Sequence, residues 1–218
     1  QVKVRGFRIE LGEIEKVLEK HDLIEEVVVL AKEDENGEKE LVMCYVPDTE
    51  KGYTIHKILE NENNGLPDRV ELQELPNGIS LYTYNKSELK FLFEEIFEDK
   101  IYFKHGINIP DNACVVDIGA NLGMFSICSS FVAENVNVYS FEPLPPTFEL
   151  LKLNRSLFKK NIKLFNCGIS NKEEIVSFKY YPNATILSSR YSEEKDVSET
   201  VKQYILNSEG FDENKYSE

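Results

Sequence analysis

The stretch VVDIGANLGMFS, Val115 to Ser126, decides the fold. Two β-branched residues lead into an aspartate, a Gly-x-x-x-Gly pattern follows, and an apolar helical pattern comes next. This order predicts a β-strand that turns sharply into an α-helix, with glycines that let the backbone approach a ligand. Ligands of open parallel α/β sheets bind at the carboxyl ends of the strands, so the loop after Asp117 is a candidate binding site.

Alternating strand and helix patterns surround this loop. Apolar runs predict strands at 114–118, 136–141 and 162–167, and helical spacing predicts helices at 124–131 and 146–158. Such alternation is typical of a parallel sheet with crossover helices. We therefore expect an α/β domain with a parallel sheet.

The N-terminal part has a different pattern. An amphipathic helix is predicted at 10–20, and two strand-like runs at 27–31 and 41–46 are joined by a turn that contains Asn36-Gly37. These elements predict a small α+β unit. The pattern then weakens into polar residues, and we expect a linker at 48–74.

Composition limits the partners of the protein. The chain has 218 residues, a formal net charge of -14 and a pI near 4.8, which argue against broad electrostatic binding to nucleic acid or anionic lipid. Apolar runs are shorter than the roughly 20 residues of a membrane helix. The N-terminus QVKVRGFRIE also lacks the layout of a signal peptide, so a cytoplasmic location is expected.

The cysteines do not predict a metal site. Cys44, Cys114, Cys128 and Cys167 are widely separated, and three of them lie in apolar runs. This spacing favours small buried side chains over a disulfide framework or a zinc site.

Three classes of cofactor could occupy the glycine loop. A phosphate loop of the Walker type requires Gly-Lys-Ser/Thr, but there is no lysine or arginine between Asp117 and Phe131. A dinucleotide site favours Gly-x-Gly-x-x-Gly, whereas the glycines here are Gly119 and Gly123. The preceding Asp117 would also repel a diphosphate.

A second carboxylate supports a nucleoside cofactor without phosphate. Glu142 ends the strand that follows, where a carboxylate can accept hydrogen bonds from both ribose hydroxyls. An ammonium and a sulfonium fit an acidic pocket, and S-adenosylmethionine carries both. We therefore expect S-adenosylmethionine, with Asp117 and the loop backbone at its amino acid end.

The sequence also resembles a known family. DIGANLGMFS followed by YSFEPLPPTFELLKLN resembles the FkbM-type S-adenosylmethionine-dependent methyltransferases. The lead-in EEIFEDKIYFKHGINIPDNACVVDIGAN is similar to members embedded in nonribosomal peptide synthetases, and a YYPNAT segment follows in the expected order. The resemblance implies a Rossmann-like methyltransferase.

The resemblance also implies roles for individual residues. The residues expected around the methionine moiety are Asp117, Gly119, Asn121 and Gly123. Glu142 is expected at the ribose and Asn166 near the adenine. The catalytic residue is not identified, and the weak candidates for contact with the methyl acceptor are Tyr102, His105 and Asn183.

A second resemblance covers the N-terminus. QVKVRGFRIELGEIE, Gln1 to Glu15, looks like the eighth core motif of adenylation domains in nonribosomal peptide synthetases, within their mobile C-terminal lid. The glycine-lysine motif expected later in that lid does not occur, so adenylation activity is not assigned. The strand expected after residue 207 in such methyltransferases is also missing, which suggests a sheet incomplete at the C-terminus.

These expectations combine into one reading. Residues 1–47 are expected to be part of an adenylation lid, 48–74 a linker, and 75–218 a truncated methyltransferase domain. The expected function is N- or O-methylation of an aminoacyl or peptidyl substrate on a carrier protein, beside neighbouring synthetase domains. The alternatives are an inactive structural or docking fragment and part of an adenylate-forming, amino acid-activating enzyme.

Overall fold

The computed structural model describes residues 2–4, 6–33, 37–182 and 184–190. The chain divides into two compact units. The first unit comprises Gln1–Gly65 and Leu157–Lys159, and the second comprises Leu66–Ser156 and Lys160–Glu218.

The first unit contains two antiparallel strand pairs and two helices. Its elements are β1 Val2–Val4, β2 Phe7–Ile9, α1 Leu11–Leu18, β3 Ile24–Glu33, β4 Lys39–Pro47 and α2 Tyr53–Asn64. β1 pairs with β2, and β3 pairs with β4 with Val28 opposite Cys44. Glu15 of α1 accepts a hydrogen bond from the backbone N–H of Val29 at 2.8 Å, which ties the helix to the hairpin.

The segment expected to be a linker contains regular secondary structure. Within 48–74 the chain forms α2 and, at its end, the strand β5 Glu71–Glu74. The helix was missed because its apolar residues Ile55, Ile58 and Leu59 stand among many polar ones. The asparagine-rich run before Gly65 is the end of this helix, and Gly65 follows with a φ of 86°.

The second unit begins with a hairpin and a helix. β5 pairs with β6 Ser80–Thr83 in antiparallel fashion, and α3 Lys86–Phe93 follows. Helical spacing continues through residue 97, but the backbone changes at Glu94–Glu98 to a single π-helical segment. Such segments are often found beside functional sites.

The remainder of the second unit is a parallel α/β sheet. Its elements are β7 Cys114–Ile118, α4 Met124–Phe131, β8 Asn137–Phe141, α5 Pro145–Ser156 and β9 Ile162–Phe165. The strand order is β7-β8-β9, both pairs are parallel, and Asp117 lies opposite Ser140. The predicted Rossmann-like fold class is therefore confirmed in the part of the chain that the structure describes.

Apolar side chains from the strands and helices form the core of this unit. The largest of them with almost no solvent exposure are Leu81, Tyr82, Leu89, Leu122, Met124, Ile127, Val138, Leu150 and Leu151. This core fixes the positions of the strand ends and of the loops that follow them.

The expectation about the cysteines was wrong for three of the four. Cys128 is buried in α4, but Cys44, Cys114 and Cys167 are exposed. Cys44 lies on β4, which has no buried residue, and Cys114 lies on the exposed side of β7, so an apolar run did not guarantee burial.

Within 2–4, 6–33, 37–182 and 184–190, no helix is long and apolar enough to cross a membrane.

Candidate functional site

The loop Gly119–Gly123 joins β7 to α4 and lies beside the end of β8. The backbone N–H groups of Gly119 and Ala120 donate to the carbonyl oxygen of Phe141 at 2.9 and 3.0 Å. Gly119, Asn121 and Gly123 all have positive φ angles, of 79°, 51° and 95°. The loop therefore makes the sharp turn predicted from the sequence, held by backbone hydrogen bonds to the neighbouring strand.

Gly123 has a steric role as well as a conformational one. A Cβ atom at this position would lie 2.6 Å from Cδ1 of Leu151 in α5. Real Cβ atoms do not come so close to a neighbour, so any larger residue here would force the buried side chain of Leu151 to shift.

Asp117 lies near the end of β7 and is 8% exposed. Its Oδ2 accepts a hydrogen bond from Oγ of Ser126 at 2.5 Å, and that Oγ lies 2.6 Å from Oγ of Ser140. Burial raises the pKa of Asp117, and the hydrogen bond from Ser126 opposes the rise. The carboxylate is thus held at the loop by side chains from α4 and β8.

Glu142 follows β8 and is 5% exposed. Its Oε2 accepts the backbone N–H of Asn121 and its Oε1 accepts that of Leu144, both at 2.9 Å. Burial raises the pKa of Glu142, the two backbone hydrogen bonds oppose the rise, and the charge of Asp117 adds to it. Each carboxylate oxygen keeps a second lone pair, so a ligand hydroxyl can still donate to it.

Two cavities of about 360 and 470 Å³ border the loop. Both are lined by Leu92, Tyr102, Gly119 and Asn121. Asp117 lines the smaller cavity, and Glu142 lines the larger one. These volumes lie in the range of small-molecule sites, and a buried carboxylate stands in each wall.

The structure separates the three candidates for acceptor contact. Tyr102 lines both cavities, is 47% exposed, and packs its ring 4.5 Å from that of Phe125. Burial raises the pKa of Tyr102, with smaller contributions from the charges of Glu95 and Asp117. His105 is exposed with a φ of 61° and lines neither cavity, and Asn183 is outside the described residues.

Asn166 braces the turn after β8. Its Nδ2 donates to the carbonyl oxygen of Glu142 at 2.8 Å and to that of Pro143 at 3.3 Å. It does not line the two cavities at the loop, but its neighbour Cys167 and Pro143 line a third cavity of about 810 Å³. The expected position of Asn166 near an adenine stays a prediction.

Three buried polar residues of the site were not singled out from the sequence. Asn154 of α5 bonds the backbone N–H and C=O of Tyr82, and its Nδ2 also donates to the carbonyl oxygen of Leu122 at 2.9 Å. Glu88 of α3 and Thr185 are joined by a hydrogen bond of 2.8 Å.

Glu88 has a local sequence signal, but that signal indicates only the start of a helix. Asn85 caps α3 through bonds from the N–H groups of Ser87 and Glu88, so a glutamate at Glu88 fits a helix start without any further role. Asn154 carries no local signal, because its partners are distant in sequence.

Among residues 2–4, 6–33, 37–182 and 184–190, no group of three or more His, Cys, Asp or Glu side chains could hold a metal ion.

The chain is similar to proteins of two kinds. It is 31% identical over 213 residues to the AMB antimetabolite synthetase AmbE of Pseudomonas aeruginosa, which covers 95% of this chain and 9% of that protein. It is 32% identical over 142 residues to the 31-O-demethyl-FK506 methyltransferase FkbM of Streptomyces tacrolimicus, which covers 65% of this chain and 55% of that protein. Gramicidin S synthase 2 of Brevibacillus brevis is 46% identical over 67 residues, or 31% of this chain.

These relatives confirm the resemblance to FkbM-type methyltransferases and to nonribosomal peptide synthetases. FkbM is a methyltransferase, so the comparison supports a relation of this chain to methyltransferases. The chain spans about half the length of FkbM, and much less of the synthetases.

Two other comparisons add nothing to this assignment. No protein-family model matches the sequence. Among solved structures, P. horikoshii TYW2 in complex with MeSAdo aligns with 73% of this chain and 64% of its own, at 17% identity and a TM-score of 0.34. That likeness is too weak to bear on the fold.

Proposed function

We propose that the second unit binds S-adenosylmethionine at the loop Gly119–Gly123. The observation that carries the proposal is a pair of buried carboxylates beside this loop. Asp117 lies near the end of β7, and Glu142 directly follows the neighbouring parallel strand β8. A cationic cofactor without phosphate fits such walls, whereas Asp117 would repel a diphosphate at the glycine loop. The methyltransferase relatives support the same cofactor.

The carboxylates would bind the two ends of the cofactor. Asp117, in the smaller cavity, is placed to accept hydrogen bonds from its ammonium group. Glu142, in the larger cavity, is placed to accept hydrogen bonds from the ribose hydroxyls. Asn166 would hold the turn that carries Glu142, and its proposed place is near the adenine.

Bound S-adenosylmethionine would supply an electrophilic methyl group for in-line transfer to a nucleophile. The protein's part in such a reaction is mainly to position the acceptor and to exclude water. Tyr102 lines both cavities, so its ring and hydroxyl group are placed to contact the acceptor. His105 is exposed away from the cavities and has no such role in this proposal.

The proposed acceptor is the nitrogen or oxygen of an aminoacyl or peptidyl group on a carrier protein. This part rests on the synthetase relatives, and on the resemblance of residues 1–15 to an adenylation lid motif. We further propose that 1–47 is part of such a lid and that the methyltransferase domain begins near residue 75. The neighbouring domains of a synthetase would then deliver the carrier.

The cofactor site can be tested by calorimetric titration with S-adenosylmethionine. Asp117→Ala and Glu142→Ala should each weaken binding by about 1 to 3 kcal/mol, because each loses a charge-assisted hydrogen bond in a buried site. Glu149→Ala is the matched control, since Glu149 is an exposed carboxylate on α5 that pairs with Lys152. Affinity retained in both site variants would contradict the proposed pocket.

A further inference from the structure

A buried glutamate holds a distant segment of the second unit. Glu88 of α3 is 2% exposed. Its Oε1 accepts two hydrogen bonds from the short 3₁₀ turn Thr185–Leu187, one from Oγ1 of Thr185 at 2.8 Å and one from the backbone N–H of Ile186 at 2.7 Å. A buried carboxylate requires such donors, and here they come from residues almost a hundred positions later in the chain.

Thr185 continues the connection to the glycine loop. Nδ2 of Asn121 donates to Oγ1 of Thr185 at 2.9 Å. The threonine hydroxyl has one proton, and the carboxylate of Glu88 is its shortest acceptor. The hydroxyl therefore donates to Glu88 and accepts from Asn121, which gives the chain of hydrogen bonds a single direction.

Asn121 is the residue of the loop with the most demanding conformation. It is a non-glycine residue with a φ of 51°, and its Oδ1 accepts the backbone N–H of Leu122 at 2.6 Å. Its own backbone N–H donates to Glu142. The side chain that Thr185 holds thus belongs to the residue that joins the loop to the proposed ribose carboxylate.

The same residues line one cavity. The 470 Å³ cavity is bounded by Asn121 and Glu142 and by residues Thr185 to Ser188. Glu88 does not line it but lies behind the turn. A side chain in that place can act on a ligand only through the residues that it holds.

We propose that Glu88 is a positioning residue for the cofactor site. Through Thr185 it holds Asn121, and with it the loop Gly119–Gly123, in the conformation that binds S-adenosylmethionine. This inference rests on the proposed function. It adds that the turn at 185–187, outside the parallel sheet, sets the affinity for the cofactor.

The test replaces the connecting hydroxyl and not the buried charge. Thr185→Val keeps the shape of the side chain but removes both of its hydrogen bonds, and Thr185→Ser restores the hydroxyl. Thr147→Val is the matched control, because Thr147 is a buried threonine of α5 whose hydroxyl has no hydrogen-bond partner among the described residues. Each protein is titrated with S-adenosylmethionine, and amide hydrogen exchange is measured on peptides containing Asn121 and Ile186.

The expected results distinguish positioning from folding. Thr185→Val should weaken binding about 3- to 10-fold, as expected for the loss of hydrogen bonds near 1 kcal/mol, and should speed exchange at both peptides. Thr185→Ser and Thr147→Val should bind like the wild type. If Thr185→Val weakened binding only by making the fold less stable, Thr185→Ser, which also loses the methyl group, would not be expected to bind like the wild type.

Two results would overturn the inference. If Thr185→Val binds S-adenosylmethionine as tightly as the wild type, the hydrogen-bond chain does not position the site, while the proposed function stands. If the wild type itself does not bind S-adenosylmethionine, the proposed function is wrong and the inference falls with it.

Discussion

The two units of the chain differ in what they bury. In the first unit the buried side chains of the described part are all apolar, and neither α1 nor α2 contains one. They are Val4, Val27, Val29, Leu157 and Phe158. The second unit has a large apolar core and also buries charged or amide side chains. These are Glu88, Asp117, Glu142 and Asn154.

The difference indicates where the chemistry of this chain lies. Burying a carboxylate costs free energy unless hydrogen bonds compensate for it, so buried carboxylates are uncommon in parts of a protein that serve only to hold a fold. In the second unit they gather around one loop and two cavities. The comparison therefore predicts that substitutions in the second unit affect folding and binding together, and that those in the first unit have smaller effects.

The largest effect is expected at Gly123. Gly123→Ala adds a Cβ that meets Leu151 at 2.6 Å, at a residue with a φ of 95°. The strain and the overpacking should together cost about 2 to 5 kcal/mol of the free energy of unfolding. Urea unfolding followed by circular dichroism measures this cost. Gly78→Ala is the control, because Gly78 has a similar φ of 81° with open space around it.

The control separates strain from packing. Gly78→Ala should cost only the left-handed strain, about 1 to 2 kcal/mol. Equal losses in the two variants would show that the close approach of α4 and α5 does not contribute.

Asn154→Leu should have the next largest effect. The change removes hydrogen bonds to both backbone groups of Tyr82 and to the carbonyl oxygen of Leu122, all buried. We expect a loss of about 2 to 4 kcal/mol in urea unfolding. Asn161→Leu, at an exposed asparagine, should change stability by less than about 0.5 kcal/mol. A small loss in Asn154→Leu would mean that α5 does not anchor the glycine loop.

The buried carboxylates predict a dependence of stability on pH. Burial raises the pKa of Asp117 above its ordinary 3.8 and that of Glu142 above 4.5. The folded protein therefore binds these protons more tightly than the unfolded chain, and their contribution to stability falls as the pH rises from the ordinary values through the raised ones. As the pH rises above these ordinary values, the double variant Asp117→Asn, Glu142→Gln should therefore lose less stability than the wild type.

Urea unfolding at a series of pH values measures this difference. Glu149→Gln, at an exposed carboxylate, is the control and should follow the wild type. An unchanged pH profile in the double variant would contradict the burial of the two carboxylates.

The smallest effects are expected in the first unit. Val29→Ala removes two buried methyl groups and should cost about 1 to 2 kcal/mol. Val28→Ala, at an exposed side chain on the other face of the same strand, should cost less than about 0.5 kcal/mol. Hydrogen exchange of peptides from β3 and β4 reports on this unit separately. Equal losses of stability in the two variants would show that the exposed side chain is also covered in solution.

The sequence predicted the part of the site that depends on local patterns. The strand before Asp117, the turn with Gly119 and Gly123, and Glu142 at the end of the next strand were all predicted from neighbouring residues, because strands and sharp turns have local signals. The residue roles proposed for cofactor binding were predicted from the same residues and stay predictions.

Contacts between distant segments could not be predicted in this way. Thr185 forms hydrogen bonds with Asn121 and Glu88, which lie 64 and 97 positions earlier in the sequence. No periodicity in the sequence indicates contacts between such distant residues. The helix α2 was missed for a different reason, because polar residues reduce its apolar stripe. His105 was considered only for its chemistry, and its exposed position became clear from the backbone around it.

The most direct test of the central claim is calorimetric titration of the intact wild-type protein with S-adenosylmethionine and, separately, with NAD⁺. Both ligands carry adenosine, but only NAD⁺ carries a diphosphate, which the carboxylate of Asp117 beside the glycine loop would repel. The account predicts that S-adenosylmethionine binds at one site and that NAD⁺ does not bind. Binding of NAD⁺ without binding of S-adenosylmethionine would contradict it.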